Sequence, residues 1–123
     1  MSVCVLAAGK TALIAGAAFT LSWTHSVEKT QWEEDWRVMP AGLQIVEARI
    51  KGSGAGMDPP EGARLKDGWW IYTPHIEPLE RLVLAASGAT GSGWRLCAAG
   101  GCTVIGGQSG DPAVVTACDS HDR

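Results

Sequence analysis

Residues 19–38 read FTLSWTHSVEKTQWEEDWRV, and apolar and polar residues alternate through both halves of this stretch. A period of two is typical of a strand with one buried face. Residues 28–31 are predicted to form a four-residue hairpin loop, which fixes how the two strands pair. In that register His25 lies opposite Glu34. The stretch therefore predicts an antiparallel hairpin with a histidine–glutamate pair on its apolar face, and it favours a β fold.

A candidate binding site follows from this pairing, in which Trp23 also faces Trp36. Opposed residues have Cβ atoms about 4.5 to 5.5 Å apart, so an imidazole and a carboxylate can share a hydrogen bond. Two interpretations remain open. The pair clamps a ligand or transfers protons, or it is a buried polar pair that fixes the register. The candidate ligand-binding residues are the pair, its tryptophan walls and a glycine-rich rim: His25, Glu34, Trp23, Trp36, Trp32, Gly52, Ser53, Gly54 and Gly56.

The glycine-rich rim also has two interpretations. Residues 52–56 offer consecutive backbone N–H groups, which can cradle an anion. Alternatively, the glycines serve a turn that requires positive φ angles.

Glycine and proline divide the rest of the chain into further short strands. Asp67–Gly68 is a two-residue hairpin signal, and Val46, Ala48 and Ile50 are predicted to share one strand face. No segment shows a convincing helical period over three turns. The sequence therefore predicts an all-β fold, a single small antiparallel sandwich or barrel of about eight to nine short strands. Residues 1–105 form the predicted β-domain, and residues 106–123 form a glycine-rich carboxy-terminal extension that packs on it or is partly frayed.

Length and charge limit the class of protein. The chain has 123 residues, which suits one domain. Its net charge is -3, and it lacks the basic cluster of a nucleic-acid-binding protein. The apolar start contains Lys10 but has no initial basic residue or clear cleavage site, so it predicts strands rather than a leader or a transmembrane segment. On this basis the expected location is cytoplasmic.

Four cysteines leave the redox state open. Cys97 and Cys102 are candidates for a cross-strand disulfide if they lie directly opposite one another. If the chain stays in a reducing cytosol, buried free thiols are the alternative. Their spacing does not suit a metal site, and neither a metal nor a cofactor is predicted.

The runs at residues 19–29 and 32–38, followed by GSGAGM at residues 52–57, resemble the domain-of-unknown-function 1850 family of small bacterial proteins. The resemblance spans about residues 4–102 and takes in Leu96-Cys97 and Cys102. Members are often encoded beside TAXI-type tripartite (TRAP) transporters, whose solute-binding proteins work outside the inner membrane. The resemblance thus implies an accessory role in solute uptake, with a transporter component or a small polar solute as partner. If that context holds, the alternative location is periplasmic.

These observations favour a non-enzymatic β-domain that acts as an accessory or ligand-sensing module. One alternative is a small hydrolase or isomerase that uses His25 as a base and Glu34 to orient it, although no convincing nucleophile or metal set accompanies them. The other is a structural interaction module that presents an exposed edge strand. The identity of the solute and the oligomeric state do not follow from the sequence.

Overall fold

The computed structural model describes residues 2–7, 9–24, 30–51, 61–84, 93–105 and 110–118, and all regular structure in these ranges is β-strand. The strands form two antiparallel sheets. The four-stranded sheet has the order β2-β1-β11-β8, and the seven-stranded sheet has the order β10-β9-β3-β4-β5-β7-β6. The strands are β1 (Ser2–Ala7), β2 (Lys10–Ala15), β3 (Ala18–Thr24), β4 (Gln31–Met39), β5 (Gly42–Lys51), β6 (Arg64–Lys66), β7 (Trp69–Tyr72), β8 (Arg81–Leu84), β9 (Trp94–Ala98), β10 (Gly101–Ile105) and β11 (Ala113–Cys118).

The two sheets pack face to face around one core, so the predicted all-β sandwich is confirmed and a closed barrel is excluded. Strands that line the core, such as β3 and β11, bury alternate residues, as the period of two requires, whereas β2 and β6 are largely exposed. The structure describes eleven strands, more than the eight or nine predicted. The core residues include Val3, Val5, Leu84, Ala113 and Val115 from the four-stranded sheet and Phe19, Leu21, Trp36, Val38, Leu43, Ile45, Ala48, Leu96 and Ile105 from the seven-stranded sheet.

The register of the β3–β4 hairpin differs from the predicted one. Glu34 lies opposite Leu21, and Trp23 lies opposite Trp32. The predicted pairings of His25 with Glu34 and of Trp23 with Trp36 are therefore wrong. Relative to the prediction, β3 is displaced by four positions (25 − 21), an even number, so the same side chains still face the core.

The connection between these strands explains the error. The last paired residues are Thr24 and Gln31, so residues 25–30 separate them, whereas the prediction allowed only residues 28–31. Both connections produce the same alternation on the two faces. The hydrophobic pattern therefore specifies the faces, and the position of the connection along the chain decides which residues pair.

A β-bulge in β5 corrects a second prediction. Asp35 pairs with Glu47 but the next residue, Trp36, pairs with Ile45, so Val46 is an extra residue in the ladder. Val46 is consequently 39% exposed, and the expectation that it shares a face with Ala48 and Ile50 is wrong. The bulge reverses the alternation, which lets both halves of β5 bury apolar side chains.

The tight turn between β6 and β7 forms where it was predicted. Asp67 and Gly68 have φ angles of 51° and 86°, and Lys66 pairs directly with Trp69. Both turn residues need positive φ in such a two-residue connection, which is why the Asp-Gly pair is a strong hairpin signal.

The first and last described strands are neighbours in the four-stranded sheet. β11 lies between β1 and β8 and pairs with both. Cys4 and Cys118 form a disulfide across β1 and β11, with Cα atoms 5.9 Å apart. Cys97 and Cys102 form the other disulfide, so all four cysteines are bridged and the free-thiol alternative is wrong.

Candidate functional site

Three tryptophans gather at one end of the seven-stranded sheet, on the face that meets the core. Trp23 and Trp32 pair across β3 and β4 and stack with ring centroids 5.9 Å apart. Trp94, from β9, lies against Trp23 with a centroid distance of 4.7 Å. These residues are called the tryptophan cluster below. At this end β3 finishes at Thr24 and β5 finishes at Lys51.

Glu34 lies on the same face as the tryptophan cluster, two residues further along β4 than Trp32. Its cross-strand neighbours are Leu21 on β3 and Ala48 on β5, both buried. The indole Nε1 of Trp36 donates a hydrogen bond of 3.0 Å to Glu34 Oε1. Burial raises the pKa of Glu34, and the hydrogen bond from Trp36 opposes that rise. An ionisable side chain therefore lies among apolar neighbours, with an indole as its donor.

Tyr72 is a further polar side chain near Glu34, and sequence reasoning did not identify it. Tyr72 of β7 pairs with Ala48 of β5, so the small alanine lies between the tyrosine and Glu34 in the sheet. Burial raises the pKa of Tyr72, and the negative charge of Glu34 raises it further. The pairing of Tyr72 was not visible in the sequence, because a four-residue strand such as β7 specifies no register.

Trp32 contributes an unpaired donor to the same region. Its Nε1 is enclosed by the protein and has no hydrogen-bond partner among the described residues. A buried N–H without an acceptor costs about 1 to 3 kcal/mol, and most buried polar groups avoid that cost. The enclosed indole is therefore a place where an acceptor atom from outside the described residues would be stabilising.

The structure brings four of the predicted site residues to one face. Trp23, Trp32 and Glu34 lie close to the end of the sheet, whereas Trp36 lies deeper, 3% exposed. The ring of Trp36 stacks on Phe19 with a centroid distance of 6.2 Å. The remaining predicted residues lie outside the described ranges, and their part in the site stays a prediction: His25, Gly52, Ser53, Gly54 and Gly56.

Residues 19–105 match the family described as Domain of unknown function (DUF1850). The chain belongs to this family. The match runs from β3 to β10, so it includes the seven-stranded sheet with Glu34 and the tryptophan cluster, and it leaves out β1, β2 and β11. No curated protein and no solved structure is significantly similar to the chain. The resemblance to the DUF1850 family is thus confirmed, and the family itself names no activity.

A charged cluster occupies the opposite, outer face of the DUF1850 sheet and was not predicted. Arg49 donates to Asp35 at 2.8 and 3.1 Å and to Glu47 at 2.6 Å. It also donates to Glu33 at 3.1 Å from two of its nitrogens. Thr20 adds a hydrogen bond of 2.8 Å to Asp35. The cluster ties β3, β4 and β5 together by their outward-facing side chains.

The electrostatics of this cluster favour its charged form. Hydrogen bonds from Arg49 hold the pKa of Asp35 below its ordinary value, against the opposing effect of burial. The same carboxylates raise the pKa of Arg49. Because its charges are already paired with one another, we interpret the cluster as a cross-link of the sheet rather than a ligand site. In the sequence, the only signs of this cluster are Glu33 and Asp35 at alternate positions of β4 and Glu47 and Arg49 at alternate positions of β5.

Membrane-spanning helices and metal-binding clusters are both missing from the part of the chain that the structure describes. Within these ranges, no helix is long and apolar enough to cross a membrane. Among the same residues, no three or more histidine, cysteine or acidic side chains are grouped to hold a metal ion.

Two substitutions at Glu34 test its bond with Trp36. Glu34→Gln keeps an acceptor for the indole and removes the buried charge, so we expect the fold and its stability at pH 7 to be retained or improved. Glu34→Leu leaves the indole N–H without an acceptor and should be less stable than Glu34→Gln by about 1 to 3 kcal/mol. Chemical denaturation of both variants checks this. Equal free energies of unfolding would show that the hydrogen bond contributes nothing.

Proposed function

We propose that this DUF1850 protein is a non-enzymatic binding domain that holds a small polar solute beside Glu34 and the tryptophan cluster. The observation that carries the proposal is that one strand presents both a hydrogen-bond acceptor and a hydrogen-bond donor that has no partner among the described residues. The carboxylate of Glu34 and the enclosed N–H of Trp32 belong to residues two positions apart, so both face the same side of the sheet.

The chemistry of these groups limits the class of solute. The carboxylate accepts hydrogen bonds from hydroxyl or ammonium groups, and the indole N–H donates to an oxygen. Aromatic walls provide apolar contact and fix the orientation of the solute. The solute therefore carries both a donor and an acceptor. Sugars and amino acids meet this requirement better than dicarboxylates, because a second negative charge beside Glu34 is repelled.

An accessory role with a tripartite transporter is the second part of the proposal. It is supported by the genomic neighbourhood that the family resemblance implies. The two disulfides support it independently, because disulfides form and persist in oxidising compartments such as the bacterial periplasm. We accordingly propose that the protein works outside the cytoplasm, where solute-binding proteins of such transporters operate.

A small hydrolase or isomerase is the second candidate function, and one observation favours it. Glu34 has its pKa raised by burial, which is a common property of catalytic acids and bases. Turnover of a bound solute would distinguish this function from simple binding.

A tryptophan-fluorescence screen of sugars, amino acids and dicarboxylates tests the proposed binding. Ligands at the site should change the emission, because three of the six tryptophans form its walls. Glu34→Gln should weaken binding at pH 7 by roughly ten- to hundredfold, the effect of losing one hydrogen bond to a charged group. Trp32→Phe, which keeps the apolar ring but removes the N–H, should also weaken it.

The matched control is Glu33→Gln, which changes the neighbouring carboxylate on the opposite face and should leave the affinity unchanged. Affinity for a neutral solute should also fall as the pH drops through the raised pKa of Glu34, because protonation removes the charged acceptor. A ligand that binds all three variants equally would place the binding site elsewhere. If no solute in the panel binds, the proposal gives way to a protein-interaction module.

A further inference from the structure

The disulfide between Cys97 and Cys102 lies on the outer face of the seven-stranded sheet, away from Glu34 and the core. Cys102 is exposed and Cys97 is half-buried, and the two residues are directly opposed in the β9–β10 hairpin. Along the edge of the hairpin that adjoins β3, Cys97 pairs with Thr20. The bond is therefore open to a thiol arriving from solution.

The hairpin holds its shape by means other than this disulfide. The pairing of β9 with β10 runs from Trp94 opposite Ile105 to Ala98 opposite Gly101, and a two-residue turn at Ala99 and Gly100 connects the strands. Leu96 and Ile105 anchor the hairpin in the core. Because the bridged residues are only five positions apart, the cross-link restricts the unfolded chain less than the Cys4–Cys118 bridge does. Opening the bond is thus compatible with a folded domain.

A cation lies beside one of the two sulfurs. Arg95, which is two residues before Cys97 on the same face of β9, places its Nε 3.4 Å from Cys97 Sγ. A guanidinium at this position stabilises a thiolate on Cys97, and a stabilised thiolate is the better leaving group in thiol–disulfide exchange. The guanidinium of Arg95 lies beside Cys97, whereas Cys102 is the more exposed of the two cysteines. Cys102 is the accessible sulfur, and Cys97 is the sulfur prepared to leave.

Two grooves on the outer face lie near this position, one at Cys97 and the other at Arg95. One groove of about 630 Å³ is lined by Cys97 together with Thr20, Asp35 and Arg37. Another, of about 310 Å³, is lined by Arg95 with Ser22 and Gln31. The first groove therefore admits a small molecule next to Cys97.

From the exposed sulfur, the adjacent cation and these grooves, we propose that the Cys97–Cys102 disulfide is a thiol–disulfide exchange centre that oxidises small-molecule thiols. A substrate thiolate attacks Cys102 Sγ, forms a mixed disulfide and breaks the Cys97–Cys102 bond, whose electron pair leaves on Cys97 Sγ beside Arg95. A second substrate thiolate attacks the substrate sulfur of the mixed disulfide and releases Cys102. Two thiols thereby become one disulfide, and the protein gains two electrons and two protons as two cysteine thiols.

The Cys4–Cys118 disulfide is the internal reference. Both of its cysteines are half-buried, and it joins strands that are 114 positions apart in the chain. The described residues show no arginine bonded to either sulfur. This bond is expected to resist the same thiols for as long as the domain stays folded.

The experiment treats the native full chain with reduced glutathione at pH 7, traps free thiols by alkylation at intervals and assigns them by tandem mass spectrometry. Cys97 and Cys102 should be labelled at least roughly tenfold faster than Cys4 and Cys118, with an unchanged circular dichroism spectrum. One glutathione disulfide should form for each protein disulfide opened. Arg95→Met should slow the reaction roughly three- to tenfold, whereas Arg95→Lys should restore part of the rate.

Arg81→Met, on the four-stranded sheet, is the matched control and should react like the wild type. Labelling of all four cysteines at one rate, or only as the domain unfolds, would overturn the proposal. So would an Arg95→Met variant that reacts as fast as the wild type while the two disulfides keep their difference, since the cation would then have no role in the exchange. Neither outcome depends on whether Glu34 binds a solute.

Discussion

Replacing both Cys4 and Cys118 by serine is expected to lower the free energy of unfolding by about 4 to 5 kcal/mol. The disulfide joins residues 114 positions apart, and in the chain-entropy model a bridge that closes a loop of about 100 residues stabilises the fold by about 4.7 kcal/mol. A domain of this size has a total stability of about 5 to 15 kcal/mol. The loss would therefore remove about a third or more of the stability of such a domain.

Urea denaturation of the purified, oxidised proteins checks this expectation. The control replaces Cys97 and Cys102 by serine, for which the much shorter loop predicts roughly half the loss in the same model. If both double variants lose the same stability, loop length does not determine what these disulfides contribute.

Arg49→Met should be the most destabilising substitution on the outer face of the seven-stranded sheet. It removes the cation that Glu33, Asp35 and Glu47 share and leaves their three negative charges next to one another. Exposed ion pairs contribute less than about 1 kcal/mol, whereas breaking a buried one costs about 3 to 5 kcal/mol. Because the Arg49 side chain is 18% exposed, we expect a loss of about 2 to 3 kcal/mol at pH 7.

The loss caused by Arg49→Met should depend on pH in a specified direction. The pKa of Asp35 is lowered in the folded state, so its contribution is present above the unfolded value of 3.8 and is lost as the pH falls through the folded pKa. Wild type and variant should therefore differ most at neutral pH and converge in acid. Thermal unfolding between pH 2 and 7 measures this. Arg37→Met, which changes an exposed arginine of β4, is the control. A constant difference across this range would show that the cluster is not held by charge.

The strand faces were predictable from the sequence, but the partners across the strands were not. Alternation in residues 19–38 determines which side chains turn inward, since each residue reverses direction relative to its neighbour. Register depends on where along the chain the connection between the strands is centred. The predicted and the observed registers both place Glu34 and the tryptophans inside, but every cross-strand partner differs: Glu34 lies opposite Leu21 rather than His25, and Trp23 lies opposite Trp32 rather than Trp36.

The rest of the candidate site depends on contacts that single-sequence patterns do not encode. Tyr72 reaches the neighbourhood of Glu34 through the pairing of β5 with β7, strands separated by residues 52–68. The Arg49 cluster likewise requires β4 and β5 to be in a register shifted by the bulge at Val46. Asp67–Gly68 is the contrasting case, because the conformation of that turn is a local property of its two residues.

The position of β11 has a consequence for how the chain acquires its structure. β1 pairs only with β2 and β11, and β8 pairs only with β11 among the described strands, so the four-stranded sheet cannot assemble before the last of its strands is available. Contacts between such distant parts of a chain slow folding, because the entropy of loop closure is lost before the contacts form. The domain is thus expected to complete its fold only after synthesis has passed residue 118. Until then β8 lacks its partner strand, and the β1–β2 hairpin lacks the neighbour that joins it to β8.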